Sequence, residues 1–417
     1  MLHTTYTANR SLLILLALLA LAASALATTP AETVLYSFPG AANGSNPYGG
    51  LIADSAGALY GTTGGGGSST KCNLGSGCGT VFMLSPPSWT ETVLYSFQGA
   101  SASDGSGPQA GLVFDTAGAL YGTTASGGKY GDGTVFKLAP PAQAGGAWTE
   151  TVLYSFQGGS DGANPASGVI FDGTALVGTT PVGGSSNFGT VFKLTKKGKG
   201  WTETILYTFT GRSDGGKPYS GLVLKSGALY GTTLDGGPSS QGEVFKLTPP
   251  GVGSTVWTES VLYGFTGGSD GGKPNAGVIF GKLGVLYGTT GLGGTGGYGT
   301  VFQLTPPKTG TVWTESVLYS FGGGPDGSYP RYGVIADTSG NLYGTTGVGS
   351  TNSGVVFKLA PPPKKSTVWT ESVLWSFTGG SDGGDTTAGL LLRSNLLYGT
   401  TSLGGQYGKG VAFSVTP

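Results

Sequence analysis

Histidine is all but missing: the 417 residues contain one, His3, inside an N-terminal stretch that reads as a removable leader. The remaining chain has no imidazole, which excludes Ser-His-Asp and Cys-His catalysis and histidine-ligated zinc, copper or iron. Cysteine is nearly as scarce. Cys72 and Cys78 stand in "KCNLGSGCG", and in an exported chain a close pair in a glycine-rich loop is expected to form a local disulfide that pins the loop. A two-thiolate metal site is the alternative, one that lacks further ligands. Charge is also sparse: 10% of residues are charged, with 21 basic and 21 acidic side chains. A near-neutral chain lacks the basic footprint of a nucleic-acid binder. No long stretch shows helical periodicity, and neither a cofactor nor a metal is expected.

The leader covers residues 1–27: a polar start closed by Arg10, an apolar run from Leu12, and "ALA" at Ala25 to Ala27, predicting cleavage before Thr28. The apolar run is shorter than the ~20 residues needed to span a bilayer, so no stable membrane insertion is expected after cleavage. No cysteine follows it for a lipid anchor, and the sequence closes on "VAFSVTP", without a hydrophobic tail or basic sorting signal. The expectation is a secreted monomer: extracellular, periplasmic or loosely attached to the cell surface.

What is abundant is glycine, 83 residues, beside many threonines, valines and aromatics. Gly at this level without a three-residue period is not collagen, and the β-branched and aromatic content argues against disorder. A repeat organises the chain. Glu32, Glu91, Glu150, Glu203, Glu259, Glu315 and Glu371 fall in register in the motif "(T/A)E(T/S)", mostly directly after a tryptophan, and mark seven units. Self-similarity at this period indicates a propeller, solenoid or array. Each unit contains four short runs, "GLVF", "LYGTT", "GTVFKL" and "WTETVLYSF", separated by Gly, Asp, Asn and Pro clusters, as expected for strands joined by turns. The tight link "DTAG" makes the first two runs hairpin neighbours, and the order follows from inner to outer strand. Glycine within the second run, such as Gly61 or Gly122, fits a place where backbones crowd.

The first unit begins with an orphan, "AETVLYSF" at 31–38, which has no tryptophan in front of it, and the chain ends on three inner runs. If the orphan supplies the outer strand of the last blade, the ring closes with no sheet edge left unpaired. The predicted fold is therefore all-β: residues 28–417 as a seven-bladed β-propeller of four antiparallel strands per blade, with the N-terminal strand closing the last.

The unit resembles kelch repeats in strand order and in the tryptophan that opens the outer strand, but "GTT" stands where kelch has a double glycine. The succession "LYGTT", "GTVFKL", "VLYSF" is similar to the GloVer tandem repeat of exported bacterial proteins, a choice-of-anchor class, and all seven units match. That resemblance implies a secreted repeat protein and no established catalytic residues.

Two long connections per unit share one face: the crossover to the next blade and the link between the second and third runs. Binding concentrates on long loops held by a rigid scaffold. Flanking the crossover proline the residues change from unit to unit. Asn46 and Tyr48, Gln109, Asn164, Lys217 and Tyr219, Lys273 and Asn275, Tyr329 with Arg331 and Tyr332, and Asp385 and Thr387 are the candidate ligand-binding positions. Aromatics recur in the second loop as Tyr130, Phe188, Tyr298 and Tyr407. Rings beside amide and charged groups suit a sugar or surface-protein ligand.

Other repeated features read as framework. Asp104, Asp161, Asp214, Asp270, Asp326 and Asp382, each followed by Gly, fit turn chemistry; calcium binding is the alternative, although the loops lack the spaced oxygen ligands of a D-x-[DN]-x-[DN]-G loop. The repeated Glu is expected to form a cross-strand ion pair with Lys137, Lys193, Lys246 or Lys358. The first functional expectation is a binding module without chemistry. The alternatives are a glycan-cleaving enzyme using Asp382 and Asp385 with Arg331, or a purely structural envelope module.

Overall fold

A computed structural model describes residues 30–417 except 73–75, 144, 350, 352, 365 and 387. The predicted leader and its cleavage position lie outside these residues, as does Thr387. The chain forms seven four-stranded antiparallel blades in a ring, with only a few single-turn 3-10 segments. Blade 1 is typical: Ile52–Ala53 innermost, then Leu59–Thr63, Thr80–Ser85 and Thr90–Ser96 outermost. The orphan strand Glu32–Ser37 pairs with Val411–Val415, Glu32 opposite Val415 and Val34 opposite Phe413, and so completes blade 7. Ala31 and Thr416 extend the pairing by a backbone hydrogen bond of 3.1 Å.

Each repeated residue has a packing task. The second-strand glycine faces the third-strand phenylalanine: Gly61 stands opposite Phe82, and a Cβ there would come 2.6 Å from the ring. Glycine is required because the ring occupies that space. The phenylalanine closing each outer strand then packs edge-to-face on the next blade, as in Phe38–Phe82, Phe97–Phe136 and Phe377–Phe413, with centroids 4.9–5.1 Å apart. These rings are fully buried. Each pair adds about 0.5–1.5 kcal/mol beyond its burial, and the seven together stitch every blade to its neighbour.

The two threonines of "GTT" divide the remaining work. The first reaches the next blade, Thr123 Oγ1 donating to Ser167 O and Thr232 Oγ1 to Ala276 O, both at 2.8 Å. The second ties the loop beyond it, as Thr124 does with Thr134 at 2.8 Å and with the Ser126 carbonyl at 2.9 Å. The outer strand carries one extra residue in every blade, so register shifts between Val81 and Phe82 and at the corresponding places. Such a bulge sharpens the local twist. The twist lays the start of one outer strand beside the end of the previous one, bringing Tyr36 Oη within 2.8 Å of Glu91.

The expected Glu–Lys ion pair does not form. Glu150 stands opposite Leu138, on the buried face, while Lys137 stands opposite Thr151 on the other. Lys137 instead reaches Asp115 at 3.6 Å, and Lys193 reaches Asp172 at 2.7 Å. One residue of offset moves a side chain to the opposite face of a strand.

Candidate functional site

The crossovers and the second loops lie on one face and are joined by backbone hydrogen bonds, such as Lys217 N to Phe188 O at 2.7 Å and Tyr329 N to Tyr298 O at 2.9 Å. The Cys72–Cys78 disulfide is formed and belongs to this layer, its sulfurs covering crossover residue Gly99. Phe188 and Tyr298 cover Gly211 and Gly323 in the same way. These two rings therefore pack loop against loop, Tyr298 with an exposed outer face, while Tyr130 and Tyr407 are more exposed still.

At the centre of this face is a cavity of about 530 Å³ around the ring axis. Its neck is backbone on backbone: a Cβ on Gly111 would lie 3.1 Å from Gly50 O, and one on Gly277 2.7 Å from Gly221 O. Only glycine lets the innermost strands enter this close together. Above the neck the lining side chains include Tyr48, Gln109, Tyr219, Asn275, Arg331 and Tyr332, with Ala166 in blade 3.

The candidate positions thus separate into two groups by their place around proline. The residue before it adopts a left-handed backbone, with φ of 55° at Asn46, 58° at Asn164, 55° at Lys217, 56° at Lys273 and 55° at Tyr329, and Asp385, where Thr386 stands in place of the proline, does the same at 53°. This conformation is rare outside glycine and disfavoured before proline. The side chains at these positions engage the surrounding loops instead of the cavity. Asn46 Nδ2 donates to Ser402 O at 2.9 Å, Asp385 accepts from Ser402 Oγ at 2.8 Å, and the Tyr329 ring stacks edge-on against Tyr298. Lys217 and Lys273 converge on Asp235 at 2.7 and 2.8 Å. Burial pushes the Asp235 carboxyl up, but the two ammonium groups outweigh it and hold the group below the usual carboxylate range. Asn164 is exposed and outside the cavity lining. Asn164, Lys217, Lys273, Tyr329 and Asp385 are therefore rim residues, and the residues after proline face the axis.

Among the described lining residues Arg331 carries the only charge, and none is a carboxylate. Burial pushes the Tyr332 hydroxyl up to about 12, with the Asp385 carboxylate adding to the shift and Arg331 opposing it. Tyr48 is raised by burial and then by Asp385. Both phenols remain hydrogen-bond donors at neutral pH. Asp382 does not join Asp385: it closes its own turn, accepting from Thr378 N at 2.9 Å, and faces Glu32.

A second set of polar groups lies between the blades. Tyr95 donates to Asp104 at 2.9 Å, Tyr154 to Asp161 at 2.6 Å and Tyr263 to Asp270 at 3.1 Å, and each Asp faces the repeated Glu of the next blade. One oxygen of each repeated Glu is buried with no hydrogen-bond partner. Burial first and the nearby Asp second push Glu150 and Glu203 up to about 8 and Glu315 to about 7. Sequence reasoning missed the eighth glutamate, Glu243. It replaces the threonine found at Thr134 or Thr190, is fully buried, and has neither oxygen partnered. Burial, then Glu259 and Asp214, push it up to about 9. Its signal was available: it is the one glutamate outside the repeat position. Among the described residues no group of three potential ligands is arranged to hold a metal.

The model of the Gloeobacter/Verrucomicrobia repeat matches residues 70–260 and 254–417, so the chain belongs to that repeat family. No curated protein matches. Among solved structures the chain is similar to a putative oxidoreductase (glucose dehydrogenase) of Thermus thermophilus, at 12% identity over 93% of this chain and 99% of that one, with a TM-score of 0.42. It is also similar to an ulvan lyase, at 10% identity over 91% and 94% of the two chains with a TM-score of 0.38. A third likeness is to an α-L-arabinofuranosidase of Clostridium thermocellum, at 14% identity over 66% and 93% with a TM-score of 0.33. At these identities the likenesses concern the fold alone. Among the described residues no helix is long and apolar enough to cross a membrane, and the disulfide is consistent with an extracellular protein.

Proposed function

We propose that this propeller is an exported binding module that takes a glycan at the mouth of its central cavity and carries out no chemistry on it. The observation that carries the reading is the lining: Tyr48, Tyr219 and Tyr332 beside the amides of Gln109 and Asn275, with no carboxylate among the described lining residues. Aromatic faces cover the apolar side of a sugar ring while amides and phenols orient its hydroxyls. Hydrolysis by two carboxylates requires a pair about 5–10 Å apart flanking the bond, and Asp382 and Asp385 are each engaged in their own loops. Export rests on the leader sequence and agrees with the disulfide.

The test is a glycan array probed with residues 28–417, followed by calorimetry on the sugars retained. Tyr48→Ala and Tyr219→Ala should each weaken binding about tenfold or more, the scale expected for a buried aromatic contact. Retention of no glycan, or binding unaffected by both substitutions, would overturn the reading.

A further inference from the structure

We propose that the sugar bound at the mouth is acidic, a uronate whose carboxylate is held by Arg331. This rests on the glycan-binding reading above and adds the chemical class of the ligand. Arg331 is exposed, lines the cavity and forms no hydrogen bond or ion pair with any described residue. Three other cations are treated differently. Lys217 and Lys273, also flanking crossover prolines, are both turned onto Asp235. On the side of blade 7 the guanidinium of Arg393 is bonded to the backbone carbonyls of Asp54 and Ser55. The cavity therefore keeps one cation uncommitted, and all of its other described lining side chains are neutral.

The acid whose charge reaches this sector, Asp385, acts on Tyr48 and Tyr332 but forms no ion pair with Arg331; its carboxylate accepts instead from the Ser402 hydroxyl at 2.8 Å. An unpaired guanidinium presents a planar fork that matches a carboxylate with two parallel hydrogen bonds. Beside it Tyr332 and Tyr48 keep their protons well above neutral pH, so both can donate to ring hydroxyls or to the same carboxylate. A neutral sugar would leave Arg331 with water as its only partner. A uronate uses the charge and both phenols together.

The experiment is titration calorimetry of residues 28–417 with tetramers of galacturonate, mannuronate and glucuronate, each compared with its methyl ester, which keeps the shape and removes the charge. At least one acid tetramer should bind about tenfold or more tighter than its ester. Arg331→Gln should abolish that difference without changing the melting temperature. Arg212→Gln, an exposed arginine in a separate outer groove with Phe188, should leave it intact. Equal binding of acid and ester, an Arg331→Gln variant that binds like the parent, or no binding of any acid tetramer overturns the proposal. Tighter binding of a sulfated galactan tetramer than of every uronate overturns the carboxylate assignment. If neutral sugars bind in a Tyr219-dependent way while acid and ester are alike, only the anionic inference fails. If no glycan binds at all, the broader reading fails with it.

Discussion

Six blades are single stretches of chain, whereas blade 7 is assembled from both ends, and the side chains around it differ as well. Elsewhere the crossover aspartate accepts a hydrogen bond from a tyrosine. Next to blade 7 that tyrosine is Trp375, whose indole nitrogen is buried without a partner. On its other side Asn43 replaces the aspartate, and Tyr36 and Asn43 donate directly to Glu91 at 2.8 and 2.6 Å. The threonine hook fails too: Thr400 Oγ1 is buried and unpartnered, where Thr123 and Thr232 reach a carbonyl. Pro30 stands where the other outer strands are preceded by tryptophan. What blade 7 retains in full is its backbone ladder and its two phenylalanine pairs. Closure therefore depends on strand pairing and ring packing, with the Tyr36 and Asn43 bonds to Glu91 in place of the tyrosine–aspartate tie and without the threonine hook.

The largest effect should come from removing that strand. Deleting residues 31–38 bares the edge of Val411–Val415, whose Phe413 and Val415 are fully buried in the intact ring. Calorimetry should show loss of the single cooperative transition. A deletion variant that melts like the parent would break the closure argument. Phe38→Ala leaves the ladder and removes only the ring, and should cost about 3–5 kcal/mol.

Next in size is a pH effect shared by the junctions. Glu32, Glu259, Glu315 and Glu371 sit at about 7 and Glu150 and Glu203 at about 8, against an ordinary value of 4.5. A carboxyl with a raised folded-state value binds more protons folded than unfolded, so its contribution is complete below pH 4.5 and is lost as pH rises through 7 to 8. The melting temperature should therefore fall steadily from pH 5 to pH 8. A flat or rising profile across that window would show that the paired carboxyls hold no extra protons.

Blade count, strand order and ring closure were legible because each rests on a period that seven copies repeat. The division at proline was not. Whether a side chain faces the axis or the rim is decided by a left-handed residue before proline at Asn164, Lys217 and Tyr329, a conformation that local preference argues against. Tyr48 and Tyr219 were therefore placed beside Lys217 and Asp385 although only the tyrosines line the cavity. The misplaced Glu–Lys pair has a similar cause: the register between Glu150 and Leu138 depends on the bulge, which the sequence does not mark. Glu243 was visible as an exception but not as a buried one, because burial follows from the position of its threonine counterparts inside the junction.

Glu243 separates a single buried acid from the paired ring. Glu243→Gln keeps the shape and removes the ionisable group. At pH 8 the buried acid stays protonated while the unfolded chain has lost the proton, so folding must take a proton up, a cost that Gln removes; the variant should be more stable than the parent by on the order of a few kcal/mol there, and by much less at pH 4.5, where little proton uptake accompanies folding. Urea titrations at the two pH values give the difference. Equal effects at both would mean that Glu243 does not carry the shift assigned to it.

The smallest effect returns to the threonine hook and tests the difference between blade 7 and its neighbours most narrowly. Thr232 Oγ1 is bonded to Ala276 O at 2.8 Å and to Ser220 Oγ at 2.9 Å, while Thr400 Oγ1 has no partner. Valine has nearly the same shape and no hydroxyl. Thr232→Val should cost about 1 kcal/mol or somewhat more, because it leaves a buried carbonyl without its donor. Thr400→Val removes an unsatisfied hydroxyl and should be neutral or slightly stabilising. Denaturant midpoints of the two variants decide it: equal losses would mean that the hook at blade 7 is made in solution, and the polar asymmetry of the ring would disappear with it.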